Sequence, residues 1–233
     1  MSTIITSVFK TKRGNYEDLF RVFDYSARKF MPEAEIKVIR KMTIPKGRNQ
    51  NYSAMTARLE SWVPVVNKTK GNIILCDVDL IFRADLFKVF DAYDFDVAYT
   101  NRKSKSKPLN GGIIFIRDGA QKFVQYWAEV NRRFYSDVAL HQRWRKKCRG
   151  MNQPSLYYLI KNPEKHGLKI IGLPCSIYNA CNQEWATMPD DVQVIHLKKA
   201  LRYVINGKAK LPAGADRAIA IWREMEREAT CEK

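Results

Sequence analysis

Ile73-Ile74-Leu75-Cys76-Asp77-Val78-Asp79-Leu80-Ile81-Phe82 is the stretch on which the reading of this chain turns. The apolar run 73–76 reads as a buried strand, and two carboxylates one residue apart stand at its end. Such a pair repels itself and calls for a cation. In open α/β sheets, ligands bind beyond the C-terminal ends of the strands. Hard divalent ions take oxygen ligands, and Mg²⁺ or Mn²⁺ commonly use one or two carboxylates plus substrate phosphates. The motif therefore reads as a site at which Mn²⁺ or Mg²⁺ clamps the diphosphate of a nucleotide substrate. Taken alone, an Asp-x-Asp triplet also fits a strand end with two solvated acids.

The elements around it alternate. Residues 3–9 (TIITSVF) read as a first strand. Tyr16, Leu19, Phe20, Phe23, Ala27 and Phe30 recur at helical spacing over residues 15–30, with Asn15 and Asp18 at the helix start. Residues 35–39 form a second strand. A helix over 52–66 is expected to kink or end at Pro64, which lacks a backbone donor. After the acidic motif come a short helix over 84–93, a strand over 95–99, a basic loop over 101–108 and a buried strand over 112–116. Ala120, Phe123, Trp127, Val130 and Phe134 give one apolar face to a helix over 118–135. Pro154 suits the first turn of a helix over 154–161. Short strands over 168–172 and 192–196 and an amphipathic helix over 215–228 complete the chain. Strands alternating with helices, without a repeat or a linker, imply one α/β domain with a mostly parallel sheet flanked by helices.

Composition narrows the classes. A chain of 233 residues, 45% hydrophobic and 28% charged, describes an ordinary globular protein. No run approaches the ~18 apolar residues of a membrane span. Met1 to Thr6 lacks the features of a secretory signal, so a cytoplasmic setting is expected. Five cysteines without a CxxC pair suggest reduced thiols rather than a disulfide framework, and Cys76 reads as a small buried hydrophobe. Three histidines give little basis for a zinc site. The net charge of +17 exceeds what an anionic nucleotide requires and speaks to partners rather than to fold.

Three further constellations follow the acidic motif. Asn110-Gly111-Gly112 enters a buried strand, and glycines there suggest close backbone approach to a ligand, or else a turn. Asn152-Gln153-Pro154-Ser155 places two amides at a helix start, where they could bond sugar hydroxyls or simply cap the helix. Val194-Ile195-His196-Leu197-Lys198-Lys199 ends a short strand on a histidine followed by two lysines. Such an imidazole could ligate a metal or sit satisfied in the core.

In this order the four motifs resemble the metal-dependent glycosyltransferases of the GT-A, Rossmann-like fold, and most closely the family 8-like nucleotide-diphospho-sugar transferases. The resemblance spans about Ile4 to Lys199. It implies that Asp77, Asp79 and His196 hold Mn²⁺ or Mg²⁺, and that Asn110, Gly111 and Gly112 line the donor sugar. Asn152 and Gln153 would face sugar and acceptor as the catalytic pair. Thr6, Ser7 and Val8 would hold the base, usually uracil, while Arg58, Lys198 and Lys199 meet the diphosphate. It also implies a nucleotide-sugar half over about 1–100 and an acceptor half over about 101–233. The family commonly has Asp-Gln where this chain has Asn152-Gln153, and the Gly and Lys-Pro-Trp that follow the histidine in many members are absent. An inverting enzyme needs a carboxylate base. None stands at 152–153, which tips the reading towards a retaining mechanism, with Asp137, Glu184, Asp190 and Asp191 as the other candidate bases.

Positive charge gathers at Lys10-Lys12-Arg13, over 102–107 and over 132–149. Residues 141–149 (HQRWRKKCR) interleave Trp144 with five cations, which suits a phosphate backbone and an exposed base as well as a solvated helix face. A glycosyltransferase acting on hydroxylated bases of phage-type DNA would join the charge to the motifs. A non-catalytic nucleic-acid-binding protein and a Mg²⁺-dependent nucleotidyltransferase are the competing readings.

Overall fold

The computed structural model describes residues 2–8, 16–44, 50–150, 152–182, 184–198, 207 and 214–231. The basic cluster Lys10-Lys12-Arg13, the helix-start residue Asn15, and Lys199 lie outside the described residues. The strands are β1 (Ser2–Ser7), β2 (Glu35–Ile39), β3 (Asn72–Cys76), β4 (Leu80–Phe82), β5 (Val97–Asn101), β6 (Leu109–Ile116), β7 (Ile170–Pro174) and β8 (Val194–His196). The helices are α1 (Tyr16–Phe30), α2 (Gln50–Asn67), α3 (Val89–Ala92), α4 (Lys122–Ser136), α5 (Val138–Arg145), α6 (Gln153–Ile160), α7 (Cys175–Tyr178) and α8 (Asp216–Cys231).

The main sheet has the order β2-β1-β3-β6-β5-β7. β1 pairs in parallel with β2 and β3, and β5 with β7, while β6 runs antiparallel to both β3 and β5. The mostly parallel sheet is thus reversed at one central strand. β3 shows why an unbroken apolar run was needed. Ile74 and Cys76 point into one core with Phe23, Phe82 and Phe115, and Ile73 and Leu75 into the opposite core with Trp62 and Trp127. Each such fully buried side chain contributes about 1.5–3 kcal/mol. All five cysteines are free thiols, and Cys76 is fully buried. Among the described residues no helix is long and apolar enough to cross a membrane.

Three local expectations are corrected. Helix α2 runs through Pro64 to Asn67. Pro64 lies on the exposed face near the helix end, so the carbonyl that loses its donor there can be solvated. Asn110, Gly111 and Gly112 lie inside β6 rather than ahead of it, and the basic loop is the connection between β5 and β6. Finally, the apolar triplet after the acidic motif is itself a strand. β4 pairs antiparallel with β8 in a separate two-stranded sheet, with Leu80 opposite His196. Ile81 and Ile195 of that sheet pack with Leu19 and Val22 of α1 and Trp222 of α8 in a third apolar cluster. This cluster anchors the small sheet.

Candidate donor and metal site

The acidic motif bridges the two sheets. Asp77 follows β3 directly, and its backbone N–H donates to Gly112 O at 2.8 Å. Asp79 precedes β4, and its carbonyl accepts from Leu197 N at 2.8 Å. The β4–β8 register therefore delivers His196, distant in sequence, beside both carboxylates. His196 Nε2 lies 3.2 Å from Asp79 Oδ1 and 3.7 Å from Asp77 Oδ2. Asp79 and His196 are 7% and 3% exposed, so the motif is not a solvated strand end.

A chain of hydrogen bonds sets the face that the imidazole presents. His196 Nδ1 lies 2.7 Å from Asn179 Oδ1. Asn179 Nδ2 donates to Thr100 Oγ1 (2.7 Å), and Thr100 Oγ1 donates to Asn110 O (2.8 Å). Thr100 gives its only proton to a carbonyl, so it must accept from Asn179. Asn179 therefore turns its oxygen to the ring, and the ring proton sits on Nδ1. Nε2 is left facing two carboxylate oxygens. One imidazole nitrogen and two carboxylates, with ligand atoms all within 4.8 Å of one another, are donor types that a divalent ion such as Mn²⁺ accepts. A ligating histidine characteristically gives its other ring proton to a fixed acceptor, as Asn179 provides here.

Gly112 makes room for this arrangement. A Cβ at that position would lie 2.4 Å from His196 Cε1 and 2.7 Å from Nδ1. The glycine is explained by the imidazole that packs upon it. On the other side of the motif, Arg58 Nη1 pairs with Asp77 Oδ1. The guanidinium lies over the Trp62 ring at 4.6 Å, one helical turn along α2, and Trp62 Nε1 donates to Ser7 Oγ at 2.8 Å. Arg58 Nε is buried and makes no hydrogen bond.

A profile of the nucleotide-diphospho-sugar transferases matches residues 22–210. The chain belongs to this family. No curated protein matches it in sequence. Among solved structures it is similar to a glycosyltransferase involved in the glycosylation of the major capsid of PBCV-1, at 11% identity and a TM-score of 0.67. That alignment covers 88% of this chain and 97% of that one. It is also similar to the glycosyltransferase GlyE of Streptococcus pneumoniae TIGR4 (12% identity, TM-score 0.63), covering 97% of this chain and 61% of that one. A third similarity is to the galactosyltransferase LgtC in complex with donor and acceptor sugar analogues (13% identity, TM-score 0.58; 97% and 95% covered). Identities this low speak to the fold alone, which is the GT-A fold. Family membership supplies the activity, glycosyl transfer from a nucleotide sugar.

The other residues singled out in the sequence fall around this nucleotide-sugar transferase core. Thr6 and Ser7 end β1 and Val8 follows it; all three are buried, and Thr6 Oγ1 donates to Cys76 O at 3.0 Å. Asn110 is buried, its Oδ1 accepting from Gly112 N at 3.2 Å. A Cβ on Gly111 would stand at ordinary contact, 3.6 Å from Leu156 of α6, so α6 lies against the start of β6. Asn152 precedes α6 without capping it through its side chain, and its buried Nδ2 makes no hydrogen bond. Gln153 turns its amide nitrogen to Leu109 O (3.3 Å) and Arg149 O (3.1 Å). Lys198 is half-buried just beyond His196.

Sequence reasoning passed over Thr100 and Asn179, and with them a second cluster. Arg102 Nη2 contacts Cys181 Sγ at 2.9 Å and Glu184 Oε2 at 3.3 Å, and Cys181 Sγ donates to Glu184 Oε2 at 3.2 Å. The Cys181 thiol is lowered to about 7, chiefly by its hydrogen bond with Cys175 and further by the charges of Lys198 and Arg102, against the cost of burial. Cys175 is pushed up by the same bond and by burial. Only the arginine that opens the basic loop and a Cys-x-x-Glu spacing could have signalled this cluster.

Proposed function

We propose that this transferase is divalent-metal-dependent and moves a sugar from a UDP-sugar to a hydroxyl acceptor with retention at the anomeric carbon. The observation that carries the metal is the placement of His196 Nε2, its ring held by Asn179, at 3.2 Å from Asp79 Oδ1 and 3.7 Å from Asp77 Oδ2. Asp77, Asp79 and His196 would hold Mn²⁺ or Mg²⁺. A bound divalent ion supplies Lewis-acid stabilisation of the charge that develops on the departing diphosphate.

The remaining roles fall to the chain's own groups. Arg58 and Lys198 add positive charge beside the diphosphate, as would Lys199. The Nε proton of Arg58 and the Nδ2 protons of Asn152 are buried donors without a partner, and such donors are costly until an oxygen meets them. Sugar hydroxyls and phosphate oxygens are acceptors of that kind. Asn110, Gly111 and Gly112 line the sugar, and the end of β1 from Thr6 to Val8 holds the base. Gln153 positions its neighbours through its amide nitrogen and leaves its oxygen to the reacting sugar or acceptor. The donor half is then about 1–100 and the acceptor half about 101–233, with His196 returned to the donor side by β8.

Retention is favoured by the engagement of three of the four candidate bases, the fourth, Asp191, being exposed. Asp137 caps α5 by accepting from Leu140 N (2.9 Å), Glu184 is held by Arg102, and Asp190 pairs with Arg217 (2.7 Å). An inverting reaction needs an unengaged carboxylate at the acceptor. Five free thiols favour a reducing, cytoplasmic setting. A hydroxylated base in DNA is the acceptor that the excess of positive charge favours. The test is a panel of nucleotide sugars with Mn²⁺, read as released nucleoside diphosphate. UDP released from at least one UDP-sugar, and suppressed by a chelator, is the expected result. Release insensitive to chelation would overturn metal dependence, and pyrophosphate released from a nucleoside triphosphate would point to a nucleotidyltransferase.

A further inference from the structure

The positive charge is gathered on one surface by the fold. Lys103, Lys105 and Lys107 of the β5–β6 connection are exposed, and so are Arg143, Arg145, Lys146, Lys147 and Arg149 at and beyond the end of α5. These segments are far apart in sequence, yet Arg149 N donates to Ser106 O at 3.0 Å. Gln153 holds them a second time by bridging Arg149 O and Leu109 O. Arg102 N donates to Pro108 O at 2.9 Å, closing the neck of the lysine loop two residues before Asn110. The basic shelf therefore borders the strand on which the His196 imidazole packs.

Nothing on the shelf balances its charge. The sequence carries no acid between Asp96 and Asp118, or between Asp137 and Glu164. Among the described residues none of these eight cations takes part in an ion pair. Like charges concentrated in this way repel one another, and a polyanion relieves that repulsion while releasing its own counterions.

We propose that this shelf binds the phosphodiester backbone of a nucleic acid and holds the acceptor strand beside Asn110 and α6. The acceptor role rests on the glycosyltransferase reading above; the binding does not. Three arginines among the eight cations suit phosphate, which the guanidinium fork meets with two parallel hydrogen bonds. A lipid surface fits less well, because an interfacial helix needs an apolar face to insert. The large exposed apolar side chains among the described residues are Ile44, Tyr93 and Val138, none of them within 102–107 or 143–149. Trp144 is turned inward, with its ring edge-on to Tyr158 at 5.0 Å and Lys147 Nζ 4.5 Å from its centroid.

The test is a fluorescence-anisotropy titration of the full chain with labelled single-stranded and duplex DNA at 50 and 200 mM salt, run beside donor hydrolysis and anionic vesicles. We expect binding at low salt that weakens by on the order of 10³-fold or more across that interval. In K103S/K105S/K107S the log–log salt slope should fall by roughly three, and R145S/K146S/K147S should act alike. Both variants should keep the UDP release measured without acceptor. No DNA binding at 50 mM, unchanged slopes in both variants, or binding to vesicles alone would overturn the proposal. DNA binding by a protein that hydrolyses no nucleotide sugar would uphold the shelf and overturn the transferase reading instead.

Discussion

Among the described residues two triads of ligand-type side chains lie in this fold, and a guanidinium meets each of them differently. Asp77/Asp79/His196 and Cys175/Cys181/Glu184 each bring three donor atoms within 4.8 Å, and both are largely buried. In the second, the guanidinium of Arg102 already touches the thiol and the carboxylate. A metal ion there would face a fixed positive charge. In the first, Arg58 engages one oxygen of Asp77, while the other oxygen, an Asp79 oxygen and His196 Nε2 converge. Residue types alone do not make a metal site; the local balance of charge does. The triads are also joined. Cys175 Sγ lies 3.0 Å from Asn179 O, and Asn179 orients His196. The cysteine cluster thus buttresses the segment that positions the imidazole.

The contrast can be broken by substitution. The largest effect is expected for Asp79→Asn, which removes a charge from the triad without changing its shape. Loss of several kcal/mol of charge stabilisation corresponds to a fall in turnover on the order of 10³-fold. Steady-state UDP release checks this, and near-normal activity in Mn²⁺ would return the motif to a mere strand end.

Gly112→Ala comes next. Its Cβ would overlap His196, so the imidazole must move, at about 1–3 kcal/mol of overpacking cost. Turnover should drop roughly 10²-fold, the scale expected when a reacting group is misplaced by about 1 Å. Thermal melting should show a modest loss, and unchanged kinetics would mean that His196 has no part in the site.

Asn179→Ala should weaken Mn²⁺ binding by about 10- to 100-fold, as loss of an outer-shell partner does. Asn179→Asp keeps an acceptor for the ring proton and should recover part of that affinity, which a purely structural role would not produce. The smallest effect belongs to the second triad. Cys175→Ser should leave the number of Mn²⁺ ions bound unchanged, and loss of an ion would show that the Arg102 cluster is itself a metal site.

These regions also differ in how far they could be read in advance. β3 and its acidic end were legible because the apolar run and the two carboxylates are contiguous in the chain. His196 was legible only through the order of motifs. Its place beside Asp79 depends on β4 pairing with β8, a long-range contact that a three-residue strand does not announce. Asn179 and Thr100 carried no signal, since an asparagine after a short helix and a threonine in a strand have many ordinary uses. Pro64 misled because its usual effect is felt in helix interiors, and here it sits exposed in the last turn. At Gly112 the structure adds a neighbour that the glycine itself did not announce, the protein's own imidazole.

The central claim, that Asp77, Asp79 and His196 are the place of one divalent ion, is tested most directly by calorimetric titration of Mn²⁺ in the presence of UDP. The wild-type chain should bind one ion, and Asp79→Asn none over the same concentration range. Two ions in the wild type, or one retained by Asp79→Asn with undiminished affinity, would contradict it.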